Sequence, residues 1–443
     1  MISDKNFLLK NICDGTLNIV PNNESNSVDA LKKNTTEVIK NIKLSHCDAF
    51  SSIQNLPSAL ISDLHCETLL SLPLKGMCFA VKEVIDVDGY ECNMGCEAFK
   101  GRIPQTNAEI VNKLQNLGAQ LVGITRSTEL AIAKETSTVN PWSKNHTPGG
   151  SSSGSAAAVG AGLIPFALGT QTIGSIIRPA AYCGAIGFKP SKNIGSLIGV
   201  LKLSSTLDHI GYFSDSLDRL TTTLSLLYPE TFPHPKKQNT KQFRIVFIQP
   251  WFIMEDGTTW KNTVQKIKEW AIDTEIECLD VSLKKEITEQ EEKVTSSILC
   301  FEMFEEWKNS LFNNDETSDF LQSFLQKGKN TSVEDYQQCL SLQKKMIEHV
   351  ETWLDDSDII IFPSVTGLPP RLGDGTGSRD TQRLWTLLGM PALNLPIGIE
   401  NNFPNNLQLI AKRGKDKFLL ETAKYISNSI PFNKIDTAKN NHA

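Results

Sequence analysis

Apolar positions along the chain follow two rhythms. Short unbroken apolar runs bounded by turn residues read as buried strands, and apolar residues every three or four positions read as amphipathic helices. "MCFAVKEVIDVDG" (77–89) reads as a strand stopping in an Asp-Gly turn. In "TNAEIVNKLQNLGAQLVGIT" (106–125) the spacing predicts a helix with Asn107 as its N-cap, ended by Gly118 before the strand "AQLVGIT". "AAAVGAGLIPFAL" (156–168) is a small-residue helix running into an apolar strand. "FRIVFIQP", "SDIIIFPSV" (357–365) and "LLGMPALNLPIG" add strands, and "VEDYQQCLSLQKKMIEHVETWL" and 417–428 add helices. Residues 1–60 read as polar and helical, ending in loop signals around Pro57, and 240–350 as one strand among long charged helices. Helix and strand alternate from end to end, which predicts a layered α/β protein in one large domain (1–443).

Composition narrows the class. The 443 residues are 40% hydrophobic and 21% charged, enough for a full-sized core. A net charge of −6 does not advertise a surface for nucleic acid or an anionic membrane. The ten cysteines show no disulfide framework, and Cys92 and Cys96 lack a second ligand pair at zinc spacing. The N-terminus lacks a signal-peptide core, and 156–169 is too short and glycine-rich to span a bilayer. These features predict a soluble, cytoplasmic protein without a metal.

The candidate chemistry centres on "TPGGSSSGSAAAVGAG" (147–162). A Gly/Ser tether would have polar sequence on both sides, yet a helix and a strand follow. A phosphate cradle of Walker type needs Gly-Lys followed by Ser or Thr, which is absent. "GSSSG" matches a nucleophile elbow at Ser152, with His209, His234 and His349 downstream, but an elbow follows a buried strand and "NPWSKNHTP" is not one. The next segment, "ALGTQTIGSIIRPAAYCGAIGFKPS" (167–191), offers more. A strand there ends in a Gly-flanked turn carrying Ser175, where the N–H groups of Thr172, Ile173, Gly174 and Ser175 can converge as an oxyanion hole. A serine nucleophile needs a base, and Lys82 in the apolar strand "CFAVKEV" is the candidate, because burial lowers a lysine pKa toward neutrality.

At this point the sequence resembles the amidase signature family. The signature stands nearly complete as "GGSSSGSAAAVGAGLIPFALGTQTIGSIIRPAAYCGAIGFKPS" (149–191), with "LPLKGMCFAVKEVIDVDG", "NKLQNLGAQLVGITRSTELA" and "NPWSKNHTPGG" upstream and "SDIIIFPSV" and "GMPALNLPIG" downstream. The resemblance implies a mixed, twisted sheet with helices on both faces. It implies a catalytic core over 66–230, a variable helical part over 240–350, and a C-terminal core and pocket loop over 351–430. It also implies a Ser–cisSer–Lys triad: Ser175 as nucleophile, Ser151 as the bridging serine after a cis peptide bond, and Lys82 as base. Ser152 would support by hydrogen-bonding the lysine, and Thr172, Ile173, Gly174 and Ser175 would form the oxyanion hole.

Three positions depart from the family pattern: Gln171 where Asp is frequent, Ile173 where Gly is frequent, and Arg178 three residues after the nucleophile rather than two. The shifted arginine is similar to the malonamidase-like branch, where it grips a substrate carboxylate. The other outcome for Arg178 is an ion pair with a protein carboxylate. Arg371, Arg379 and Arg383 read as solvated charge, although Arg379 or Arg383 would line the site if the late loop folds over it. Cys183 reads as a packed core thiol. The implied activity is hydrolysis of a small non-peptide amide, without cofactor, metal, nucleic-acid or membrane partner, in a family whose members are commonly homodimers. Two alternatives share the same residues: a glutamyl-tRNA amidotransferase A-type subunit, and a catalytically silent member of the fold.

Overall fold

The computed structural model describes residues 27–53, 63–132, 134–233 and 243–430. The N-terminal stretch 1–26 with Cys13, the loop signals around Pro57, and His234 lie outside the described residues. In chain order the elements are α1 (Val28–Leu44), β1 (Phe50–Ile53), α2 (Asp63–Ser71), β2 (Cys78–Lys82), α3 (Glu109–Asn116) and β3 (Gln120–Thr125). The signature region forms α4 (Ser153–Gly160), β4 (Phe166–Gln171), α5 (Ile177–Cys183), β5 (Ile186–Lys189) and β6 (His209–Ser214). Then come α6 (Leu217–Leu227), β7 (Arg244–Ile248), α7 (Gly257–Asp273), β8 (Cys278–Val281), α8 (Lys285–Thr288) and α9 (Glu291–Trp307). The chain closes with α10 (Asp319–Lys329), α11 (Val333–Trp353), β9 (Asp358–Phe362), α12 (Asp380–Leu387), β10 (Ala392–Glu400), β11 (Phe403–Ala411) and α13 (Asp416–Ser429).

All of these strands join one mixed sheet in the order β1-β3-β2-β4-β6-β5-β10-β11-β9-β7-β8. The trios β3-β2-β4 and β9-β7-β8 are parallel, and the remaining neighbours are antiparallel. The central strands β2 and β4 are buried at every position, as expected of strands covered on both faces. One continuous hydrophobic cluster runs from Val38 to Ile430. The layered single-domain expectation therefore holds.

Several boundaries differ. The strand predicted over 77–89 ends at Lys82, where the Ile85 N–H turns back onto the Lys82 carbonyl at 2.9 Å. Asn107 does not cap α3; the cap position is Ala108, and the Asn107 carboxamide accepts from the Asp88 N–H and donates to Asn112 and Gln115. The region 240–350 holds two strands, because β8 pairs along the outer side of β7 with its side chains mostly exposed, so "CLDV" never reads as a buried run. Gly118, with φ of +90°, ends α3 as its position suggested. The nine described cysteines are free thiols, buried except for Cys278 on β8. Among the described residues no helix is long and apolar enough to cross a membrane, and no cluster of metal-ligating side chains occurs.

Candidate active site

Parallel pairing of β2 with β4 places Val81 opposite Leu168, so Lys82 at the end of β2 lies alongside the last residues of β4. Lys82 is fully buried. Its Nζ donates to Ser151 Oγ at 2.8 Å and to Thr170 Oγ1 at 2.9 Å, and no carboxylate contacts it among the described residues. Burial holds the ammonium down at about 7, against opposing pulls from the Glu83 and Asp208 charges. A lysine in this state shares its proton with a hydroxyl near neutrality, as a general base requires.

Ser151 follows a cis peptide bond from Gly150 and stands just ahead of α4. Ser152, expected to bond the lysine, instead donates to the Thr170 carbonyl at 3.2 Å. The side chain filling the supporting place beside Lys82 is Thr170, which the sequence motifs did not single out. Its signal was positional: two strand residues beyond the segment paired with β2. No strand leads directly into Ser152, so the elbow geometry is absent, and His209 is turned to the Leu207 carbonyl at 2.6 Å.

The turn after β4 carries Ser175 into a recess shared with Ser151, Thr172, Ile173, Gly174 and Arg178. Among the described residues the backbone N–H groups of Ile173, Gly174 and Ser175 reach no protein acceptor, which leaves three donors at the mouth of α5. No hydrogen bond joins Ser151 to Ser175 in this state, again among the described residues. Three braces hold the turn. Thr172 Oγ1 donates to Asp208 Oδ1 at 2.6 Å, and Asp208 Oδ2 accepts the N–H groups of Leu203 and Ser204. Gln171 Oε1 accepts the N–H groups of Ile176 and Ile177 at 2.7 and 3.1 Å, while its Nε2 donates to Thr386 Oγ1 on α12 at 2.9 Å. Thr386 in turn donates to the Ile173 carbonyl at 2.6 Å. An aspartate at 171 accepts equally well but cannot donate to Thr386, so the glutamine ties the turn to α12. Ile173 fits because the turn does not ask it for a positive φ. Gly174 has no such freedom to change: a Cβ there would lie 2.5 Å from Gln382 Oε1.

The arginines separate into distinct roles. Arg178 is buried and forms no ion pair among the described residues, so the expected alternative of a protein carboxylate partner is not realised. Arg379 lines the recess together with Ile132, Leu299 and Thr376. Arg383 is not solvated charge; it pairs with Glu291 at 3.0 Å and Asp380 at 2.6 Å. Arg371 is exposed. Cys183 is a packed thiol, its Sγ 3.5 Å from the Pro148 carbonyl.

Known proteins resemble this chain over most of its length. The family described as Amidase matches residues 28–420. Amidase 1 of Arabidopsis thaliana is 27% identical over 390 residues, covering 78% of this chain and 91% of its own. The A-type subunit of the glutamyl-tRNA(Gln) amidotransferase from Methanospirillum hungatei is 27% identical over 406 residues, covering 79% of this chain and 92% of its own. A solved amidase structure superposes with a TM-score of 0.78 at 23% identity, covering 91% of this chain and 96% of that one.

Proposed function

The chain belongs to the amidase family, and we propose that it hydrolyses a small non-peptide carboxylic amide to acid and ammonia through Lys82, Ser151 and Ser175. The observation that carries this reading is the fully buried Lys82, held near a pKa of about 7 and bonded to Ser151 Oγ at 2.8 Å. Neutral Lys82 accepts a proton from Ser151, and Ser151 takes one from Ser175 as Ser175 Oγ attacks the amide carbon. The three unpartnered N–H groups of residues 173–175 receive the developing oxyanion. The proton returns through Ser151 to the departing nitrogen, which leaves as ammonia and not as an anion. Water then attacks the acyl-enzyme through the same relay and releases the acid.

The acyl half is proposed to carry a carboxylate, as in a half-amide of a dicarboxylic acid. Arg178 and Arg379 flank the recess, and no protein carboxylate neutralises either of them among the described residues. The test is ammonia release from half-amides, neutral aliphatic amides and aryl amides by wild type and Ser175→Ala. Release abolished by the substitution supports the triad. Turnover that survives in Ser175→Ala overturns it. A second reading, an amidotransferase A-type subunit, is favoured by the equal 27% identity to a protein of that kind. Ammonia release by the isolated chain on free small amides counts against it.

A further inference from the structure

A guanidinium has five N–H donors, and a planar grip on a carboxylate needs two of them side by side. In Arg178 the four terminal donors are already engaged. Nη1 donates to the carbonyls of Gly377 at 2.8 Å and Ser378 at 3.3 Å. Nη2 donates to the Gly150 carbonyl at 2.6 Å and to Thr376 Oγ1 at 3.2 Å. Only the Nε–H is left, buried and without an acceptor. Arg178 therefore fastens the residue ahead of Ser151 to the loop at 376–378, and has one donor to offer a ligand.

Arg379 is in the opposite condition. The one protein hydrogen bond of its guanidinium among the described residues is a long one from Nη2 to the Ile132 carbonyl, at 3.4 Å. It sits at the mouth of α12 in the same recess as Ser175. One turn further on, Arg383 takes the nearby carboxylates of Glu291, Glu292 and Asp380, and none of them pairs with Arg379. The two guanidinium groups are close enough for Arg379 to depress the Arg178 pKa, and burial depresses both. Two like charges in a recess walled partly by Ala131, Ile132 and Leu299 repel each other with little water to screen them. An anion between them relieves that repulsion.

Resting on the hydrolase reading above, we infer that Arg379 is the specificity-determining residue for an acidic substrate. Its planar fork receives the substrate's carboxylate, the Arg178 Nε–H adds a third donor, and the remainder of Arg178 positions Ser151. The division of labour is thus the reverse of what the spacing of Arg178 from the nucleophile implies.

Calorimetric titration with malonate and succinate, which cannot be turned over, tests the binding directly. Wild type is expected to bind malonate, and Arg379→Gln to weaken it roughly 10- to 100-fold, as for a lost charged hydrogen-bond pair. Arg379→Lys should recover part of that loss, since it keeps the charge without the fork. In kinetics, Arg379→Gln should cut the preference for malonamic acid over propionamide by a similar factor, through KM. Arg178→Gln should lower kcat on both amides, because Gly150 loses its anchor. Failure of wild type to bind either dianion overturns the inference. So does malonate affinity unchanged in Arg379→Gln, or a preference that Arg178→Gln alone abolishes. If wild type hydrolyses no amide, the hydrolase reading fails, while the titration still decides the role of Arg379.

Discussion

Two lysines lie fully buried in this sheet, Lys82 at the end of β2 and Lys189 at the end of β5, and burial brings both down to about 7. Their surroundings differ in one respect. Lys82 meets the hydroxyls of Ser151 and Thr170, whereas Lys189 meets the carbonyls of Pro190, at 3.0 Å, and Met390. A hydroxyl can give its proton to a neutral amine; a carbonyl has none to give. A lowered lysine pKa thus marks both positions, and the acceptor chemistry distinguishes the proposed base from the strut. Lys189 ties β5 to Met390 just ahead of β10, near the buried Asp416, which accepts the Ser191 N–H. Lys82 ends in the recess.

The largest expected effect breaks this comparison directly. Lys82→Met should reduce turnover roughly 10²- to 10⁴-fold, the usual contribution of a general base. Lys189→Met should leave two buried carbonyls unpaired, costing about 1–3 kcal/mol each in urea denaturation, while kcat falls far less. A Lys189→Met protein of wild-type stability and no activity would erase the distinction.

The pH profile sharpens it. The base acts in its neutral form, so kcat/KM should fall about tenfold per unit below pH ~7 and level off above it. That limb should persist in Lys189→Met. Stability carries the same sign: both lysines titrate near 7 when folded and at the ordinary 10.5 when unfolded. Between those values the unfolded chain holds more protons, so stability rises with pH by up to about 1.4 kcal/mol per unit per lysine, and each methionine substitution removes one lysine's share.

Smaller effects are expected at the braces. Gln171→Glu keeps the acceptor for Ile176 and Ile177 and loses the donor to Thr386, which should lower kcat roughly 2- to 10-fold in a steady-state assay. Thr170→Val should disturb the Lys82 limb of the pH profile more than Ser152→Ala, since Thr170 is the lysine's second acceptor. The reverse order would restore Ser152 to the supporting place.

What the sequence made legible was local. The fully apolar runs of β2 and β4, the small-residue helix α4, and the glycine that ends α3 each depend on neighbours a few residues away. The motif around 149–191 brought Ser151 and Ser175 into view, and the apolar strand upstream of it brought Lys82. The features missed depend on distant partners. Thr170 is assigned only by the register of β2 against β4, and the value of Gln171 only by Thr386, 215 residues on. The contrast between Arg178 and Arg379 turns on which carbonyls and carboxylates the loop at 376–383 brings to them. Asn107 has the side chain of a cap, and lost that role to contacts with Asp88, Asn112 and Gln115. Strand β8 escaped because an exposed edge need not be apolar.

That edge has a practical use. Cys278 is the sole exposed thiol among the described cysteines, and it stands on the outermost strand, with the width of β9 and β7 between it and β11. With Cys13 replaced, a maleimide dye would attach there alone, away from Ser175. Its fluorescence during denaturation would show whether the β9-β7-β8 end of the sheet melts together with the strands that hold the lysine, or detaches first.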